Sequence, residues 1–211
     1  MPSNPKQFLN KVFPTNRRLL VNHALASINR ANNKWQKVLV VGAGNDPYRN
    51  IFGKLEQYIR LDILLDKDKV DVVADAHFLP FDDESFDCIL AIEVMEHLEY
   101  PKSFMDEAYR VLNREGSFFA TIPFMFHEHG DPSDYWRPTR FTLEILYKKF
   151  SNIKIVPQGN RFHVILDLIS TSRSLFGIFK FLRIFNHIVC LFISGKSNSS
   201  SPSGYFVSAK K

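Results

Sequence analysis

The 211-residue chain, 45% of it hydrophobic, can bury one core of ordinary size and would be crowded as two independent domains. Its two cysteines, Cys88 and Cys190, are far apart and in no Cys-x-x-Cys spacing, which argues against a disulfide framework or a cysteine zinc site and fits a reducing compartment. The net charge of +5 hides an asymmetry: residues 1–139 carry 16 Lys and Arg against 20 Asp and Glu, residues 140–211 carry 11 against 2, so the C-terminal part is expected to face something anionic, nucleic acid or an acidic membrane surface.

Residues 1–14, rich in Pro, Asn and Lys, read as an irregular arm without the apolar run of a signal peptide, and a cytoplasmic location is expected. Thr15 suits an N-cap, and the helical spacing of apolar residues over 16–30 predicts a helix packed on a sheet. Val38 to Val41 is a run of branched aliphatics, as in a strand buried on both faces. Residues 48–54 predict a brief helix, 57–62 a second strand, and 70–73 a third after the charged loop 66–69. Cys88 to Ile92 is a fourth buried strand. Pro101 opens a helix with Phe104, Ala108, Val111 and Leu112 on one face, and Gly116 is expected to stop it before a fifth strand at 117–122. A helix at about 139–150, a strand at 153–156, a long apolar segment to Ser194 and a last strand at 205–209 complete the chain. Strands and helices alternating at this spacing imply a parallel sheet with right-handed crossovers.

The chemistry is concentrated after the first strand. Gly42 permits a tight turn and Gly44 a close approach of backbone to ligand. Asp62 ends the second strand twenty positions after Gly42, a separation that suits a carboxylate accepting both hydroxyls of a ribose. Position 47 is Pro where a Gly-x-Gly-x-x-Gly motif needs its third glycine, which counts against a pyrophosphate on the following helix and so against NAD or FAD.

The order of these motifs resembles the class I S-adenosylmethionine-dependent methyltransferases, in particular the small type 11 group. The matching pieces are Val38 to Gly44, Asp62, Asp75-Ala76, Leu79-Pro80-Phe81 with Ser85-Phe86-Asp87, Glu93 to Leu98, and Glu107 to Leu112 followed by Gly116. The resemblance implies a Rossmann-like α/β fold, a seven-stranded, mostly parallel sheet with helices on both faces, whose final strand (205–209) inserts antiparallel. It implies S-adenosyl-L-methionine as cofactor, held by Gly42, Ala43, Gly44, Asp46, Asp62, Ile63, Asp75, Ala76 and Glu93. The chain departs from the family in having Val40 where an acidic residue usually precedes the glycines, and Asn45-Asp46-Pro47 in place of a Thr/Ser-Gly step. Glu93 has two readings, a contact to the cofactor's amino group or an N-cap for the next helix.

Methyl transfer requires alignment and exclusion of water more than catalytic side chains. Three histidines are the candidates for a base: His97 after the fourth strand, and His127 and His129 after the fifth. His127 and His129 would share a side if extended, which also raises metal binding; with no third ligand in view, no metal is assigned. Tyr135, Trp136 and Arg137 are candidate acceptor-binding residues, with a hydrophobic anchor for the following helix as the other reading of the two aromatics. Similar His-x-x-x-x-Pro-x-Asp-Tyr-Trp-Arg segments occur in methyltransferases encoded with glycan-assembly genes, which implies a sugar-related acceptor.

Within 173–193, Arg173, Lys180, Arg183 and His187 form a basic stripe on an otherwise apolar segment. It is too interrupted to span a bilayer and suits a helix on a membrane surface, a lid over a lipid-like acceptor or a homodimer interface. The expected organisation is thus an arm and helix (1–35), a cofactor-binding core (36–160), an apolar basic helical insertion (161–203) and a final strand (204–211). The expected activity is methylation, at oxygen, of a small-molecule or lipid- or sugar-linked acceptor. The rivals are an NAD(P)-dependent oxidoreductase and a silent membrane-associated scaffold. Nucleic acid is disfavoured as substrate, because no base-flipping motif appears and the basic residues are scattered among phenylalanines.

Overall fold

A computed structural model describes residues 16–29, 35–65, 69–129, 133–171 and 201–211. The N-terminal arm, the Thr15 cap, the centre of the charged loop and the basic stripe at 173–193 lie outside these residues.

Helix α1 (Asn16–Asn29) precedes strand β1 (Lys37–Val41), β2 (Gln57–Asp62), β3 (Val72–Val73) and β4 (Phe86–Ile92). Helix α2 (Pro101–Val111), β5 (Leu112–Pro123), α3 (Arg140–Leu146), β6 (Ser151–Gln158), α4 (Arg161–Thr171) and β7 (Gly204–Lys210) follow. Single 3-10 turns at Arg49–Ile51 and Met95–His97 follow β1 and β4.

The strands form one seven-stranded sheet in the order β3-β2-β1-β4-β5-β7-β6. The first five positions are parallel, and β7 is antiparallel to both of its neighbours, as the resemblance implied. The central strands are buried on both faces because each supplies two cores by strict alternation. Leu39 and Val41 of β1, with Ile89 and Ala91 of β4, face a core closed by Phe104, Ala108 and Val111 of α2 and by Leu143 and Tyr147. Val38 and Val40, with Cys88, Leu90 and Ile92, face the opposite core, closed by Val21, Ala24, Leu25 and Ile28 of α1.

One expectation about the elements is corrected. Helix α2 stops at Val111, before Gly116, because Leu112 turns extended (φ −76°, ψ 134°) and pairs with Phe86. Pairing resumes at Cys88–Ser117, so residues 113–116 bulge from the ladder. The segment from 161 onward begins as α4, which is tied to α1 where the Arg17 backbone N–H donates to the buried Asp167 carboxylate at 3.0 Å.

The register decides where a ligand can bind. Val41 stands beside Leu61 on one side and Ala91 on the other, so the carboxyl ends of β1, β2 and β4 finish level. The chain runs outward from β1 through β2 to β3, then returns to β4 on the other flank, which leaves a crevice at this switch point.

Candidate active site

A cavity of about 670 Å³ opens at that crevice, within the size range of small-molecule and cofactor sites. Its floor is the glycine turn. Gly42 and Gly44 both have positive φ (62° and 49°), and a Cβ on Gly42 would stand 2.5 Å from Val94 Cγ2, whereas space around Gly44 is open. Asp62 stands at the wall. One of its oxygens accepts from the Gly44 N–H at 3.0 Å and the other from the Leu64 N–H at 3.1 Å, which aims a half-buried carboxylate across the turn. Ala43, Ile63, Asp75, Ala76 and Glu93 also line the cavity, so eight of the nine residues expected at the cofactor meet there.

Asp46 is the exception. Its Oδ1 accepts from the Tyr58 hydroxyl at 2.7 Å and from the Tyr48 N–H at 3.3 Å, and it does not line the cavity. A short carboxylate with positive φ (36°) is used here to close the turn on itself, in the step where the family has Thr/Ser-Gly.

Glu93 faces the cavity but is already paired. Arg17 Nε donates to its Oε2 at 3.0 Å and Nη2 to its Oε1 at 2.5 Å, while Nη1 donates to Gln158 Oε1 at 2.8 Å. Burial alone would raise the Glu93 carboxyl, but the Arg17 guanidinium overrides this and holds it below the usual carboxylate range. Arg17 thus joins α1, β4 and β6 behind the site. Sequence reading did not find it, since its partners lie 76 and 141 positions away.

The segment after β5 is laid over the turn after β4. The Tyr135 N–H donates to the Glu96 carbonyl at 2.7 Å, the Trp136 indole to the Leu98 carbonyl at 2.8 Å, and His97 Nδ1 meets the Ser133 carbonyl at 2.5 Å. Arg137, expected at the acceptor, is committed to the segment itself. It pairs with Asp134 and donates to the carbonyls of Phe126, His127 and Trp136.

This docking brings His129 onto His97, ring centroids 5.2 Å apart. Between them lies Glu96, which is fully buried and whose two carboxylate oxygens have no hydrogen-bond partner. Burial, with the nearby Glu93 charge, pushes its carboxyl well above the usual range. His127 does not join the pair: its ring lies against Phe126, with centroids 4.3 Å apart. The ring centroids of His127 and His129 are 6.1 Å apart.

Of the aromatics, Tyr135 lines the main cavity, together with His97. Trp136 walls a second, almost wholly apolar cavity of about 310 Å³ with Met95, Tyr100, Ile122 and Leu146, and Glu99 borders both cavities.

The strand order is that of the Rossmann-like fold of class I methyltransferases, with the glycine turn and the strand-end aspartate at its switch point. A family model described as a methyltransferase domain matches residues 39–120. A solved S-adenosylmethionine-dependent methyltransferase from Archaeoglobus fulgidus superposes with a TM-score of 0.63 at 17% identity, covering 99% of this chain and 100% of that one. Phosphoethanolamine N-methyltransferase 2 of Haemonchus contortus, solved with S-adenosyl-L-methionine, has a TM-score of 0.60 at 18% identity, covering 97% of this chain and 59% of that one. An uncharacterised protein of Methanocaldococcus jannaschii, MJ1123, is 33% identical over 96 residues, 39% of this chain and 47% of that protein. The match thus spans about half the length of that curated relative.

Proposed function

We propose that the protein transfers a methyl group from S-adenosylmethionine to a hydroxyl of a small-molecule or lipid- or sugar-linked acceptor. The observation that carries this reading is the cavity at the switch point, where the open Gly44 backbone and the Asp62 carboxylate stand together beside Asp75, Ala76 and His77.

The residues fit the cofactor. Asp62 keeps lone pairs beyond those spent on the two N–H groups and would accept the ribose hydroxyls. The absence of a side chain at Gly44 leaves room for the nucleoside against the turn. Bound there, S-adenosylmethionine would supply an electrophilic methyl group on a sulfonium. The protein's part is alignment in a site with water excluded, so the acceptor must lie where the cavity continues past Val94 to His97 and Tyr135.

Two features support the acceptor class. The His97 imidazole at the cavity edge suits a hydroxyl that must lose a proton as the new bond forms. The apolar cavity beside Trp136 shares Glu99 with the first as a lining residue, which suits an acceptor with a polar head and an apolar arm. Among the described residues no helix is long and apolar enough to cross a membrane.

Calorimetric titration with S-adenosylmethionine and with NADH tests the cofactor. Micromolar binding of the first alone is expected, binding of NADH alone would replace the reading with an oxidoreductase, and binding of neither would leave a scaffold. Screening hydroxylated lipid and sugar acceptors for release of S-adenosylhomocysteine tests the acceptor, and turnover only on amines would refute oxygen transfer.

A further inference from the structure

We infer that Glu96, His97 and His129 form a binding site for one divalent transition-metal ion at the acceptor end of the cavity. Their ligating atoms all lie within 4.8 Å of one another. Glu96 Oε1 is 3.8 Å from His97 Nε2 and 4.0 Å from His129 Nε2. These distances are too long for hydrogen bonds and a few tenths of an ångström wider than the edge of about 3.4 Å spanned by ligands in a tetrahedron with bonds of about 2.1 Å.

Three further observations favour an ion over a plain carboxylate–imidazole contact. A fully buried carboxyl with both oxygens unpartnered is costly as an anion, and either takes up a proton or meets a cation. The nearby guanidinium groups are engaged elsewhere, Arg17 with Glu93 and Arg137 with Asp134. Each imidazole also has its second nitrogen turned to an acceptor, His97 Nδ1 to the Ser133 carbonyl and His129 Nδ1 to Asp134 Oδ2 at 3.3 Å. The Ser133 carbonyl places the His97 N–H on Nδ1 and leaves its Nε2 lone pair directed at Glu96; His129 Nδ1, 3.4 Å from the His127 carbonyl and 3.5 Å from Arg137 Nη2, would leave Nε2 free in the same way in its Nδ1–H form, as outer partners do for metal-bound histidines.

Two imidazoles and one carboxylate suit zinc, manganese, iron or cobalt rather than magnesium or calcium, which prefer all-oxygen sites. Three protein ligands leave positions for an exogenous oxygen, and His97 lines the cavity where the acceptor is proposed to lie. The ion site rests on the three side chains alone. Its use on an acceptor hydroxyl, where the ion and not His97 would favour loss of the proton, would rest on the methyltransferase reading above.

The test uses the full chain without a polyhistidine tag, stripped with chelator and dialysed against zinc, manganese or cobalt ions. Expected are one tightly held ion per chain and a visible cobalt spectrum of a nitrogen- and oxygen-ligated site. Glu96→Gln and His129→Ala should each weaken binding at least tenfold, whereas His23→Ala, on the exposed face of α1, should not. Because His129 is part-exposed, its variant keeps the test valid should Glu96→Gln fold poorly. Substoichiometric binding, or equal affinity in wild type and His129→Ala, would overturn the inference. Calorimetry with S-adenosylmethionine on the same stripped protein reads the cofactor separately, so failure of one reading is distinct from failure of the other.

Discussion

Replacing Asp62 by Ala removes two kinds of interaction. The carboxylate accepts from the N–H groups of Gly44 and Leu64 in the free protein and would accept the ribose hydroxyls in the complex. Asp62 is half-buried and the two N–H groups can turn to water, so their loss should cost the fold no more than about 1–2 kcal/mol. The ribose bonds to a charged acceptor exist only in the complex, and their loss should cost about 1.5–3 kcal/mol of binding, a ten- to hundredfold rise in the dissociation constant. Asp62→Asn separates the two contributions. It keeps one oxygen for an N–H but sets an NH₂ against the other, so its melting temperature should lie near wild type while its affinity falls nearly as far as that of Asp62→Ala. Calorimetric titration, with thermal unfolding on the same samples, reads both. An affinity within twofold of wild type in Asp62→Ala would refute the placement of the ribose.

The glycine turn gives a contrasting pair. Gly42→Ala puts a methyl 2.5 Å from the buried Val94 and adds the cost of positive φ, so a loss of about 2–4 kcal/mol in urea unfolding is expected. Gly44→Ala meets nothing within 4 Å and should cost about 1–2 kcal/mol from φ alone while lowering cofactor affinity; equal stability losses in the two would contradict the packing. Arg17→Ala leaves the part-exposed Glu93 carboxylate without its partner and should destabilise by about 1.5–3 kcal/mol, much of it recovered when Glu93→Gln is added; a loss below about 0.5 kcal/mol would show that the pair contributes little to the fold. Glu107 accepts from Arg110 and from the Leu79 N–H, and Arg110, more than the opposing burial, holds its carboxyl below the usual 4.5. A depressed value stabilises the fold above the unfolded pKa, so wild type should exceed Glu107→Gln by about 1–2 kcal/mol at pH 7. That margin should shrink as pH falls below the usual 4.5; one that grows on acidification would reverse the assigned sign.

The parts of the fold legible in the sequence are those where burial repeats with a short period. Val38 to Val41 and Cys88 to Ile92 feed two cores by alternation, so their runs of apolar residues announce central strands directly. Asp62 could be placed because its distance from the glycine turn is fixed by one intervening crossover. The stop of α2 was misplaced because a local signal, Gly116, competed with a long-range one, the pairing of Leu112 with Phe86, and the pairing prevailed. Asp46 illustrates the same limit: the resemblance implied a place for it at the cofactor, but its hydrogen bond to Tyr58 on the neighbouring strand holds it outside the cavity lining.

The histidine and glutamate cluster shows why part of the site stayed hidden. His97 and His129 were both visible as reactive types, yet Glu96, at the centre, reads as one of two acids in Glu93-Val94-Met95-Glu96. What singles it out is tertiary: a 3-10 turn over Met95–His97 drives its side chain inward while its neighbour's ring stays at the cavity edge. The docking of Ser133 to Trp136 on that turn then brings His129 across from beyond β5 and orients both rings by backbone and Asp134 contacts. The Asp-Tyr-Trp-Arg segment therefore acts first as a clamp, with Arg137 closing the loop on Asp134. Its sequence record is a run of polar and aromatic residues at the mouth of a site, a pattern that marks where such chemistry gathers without indicating which groups will face one another.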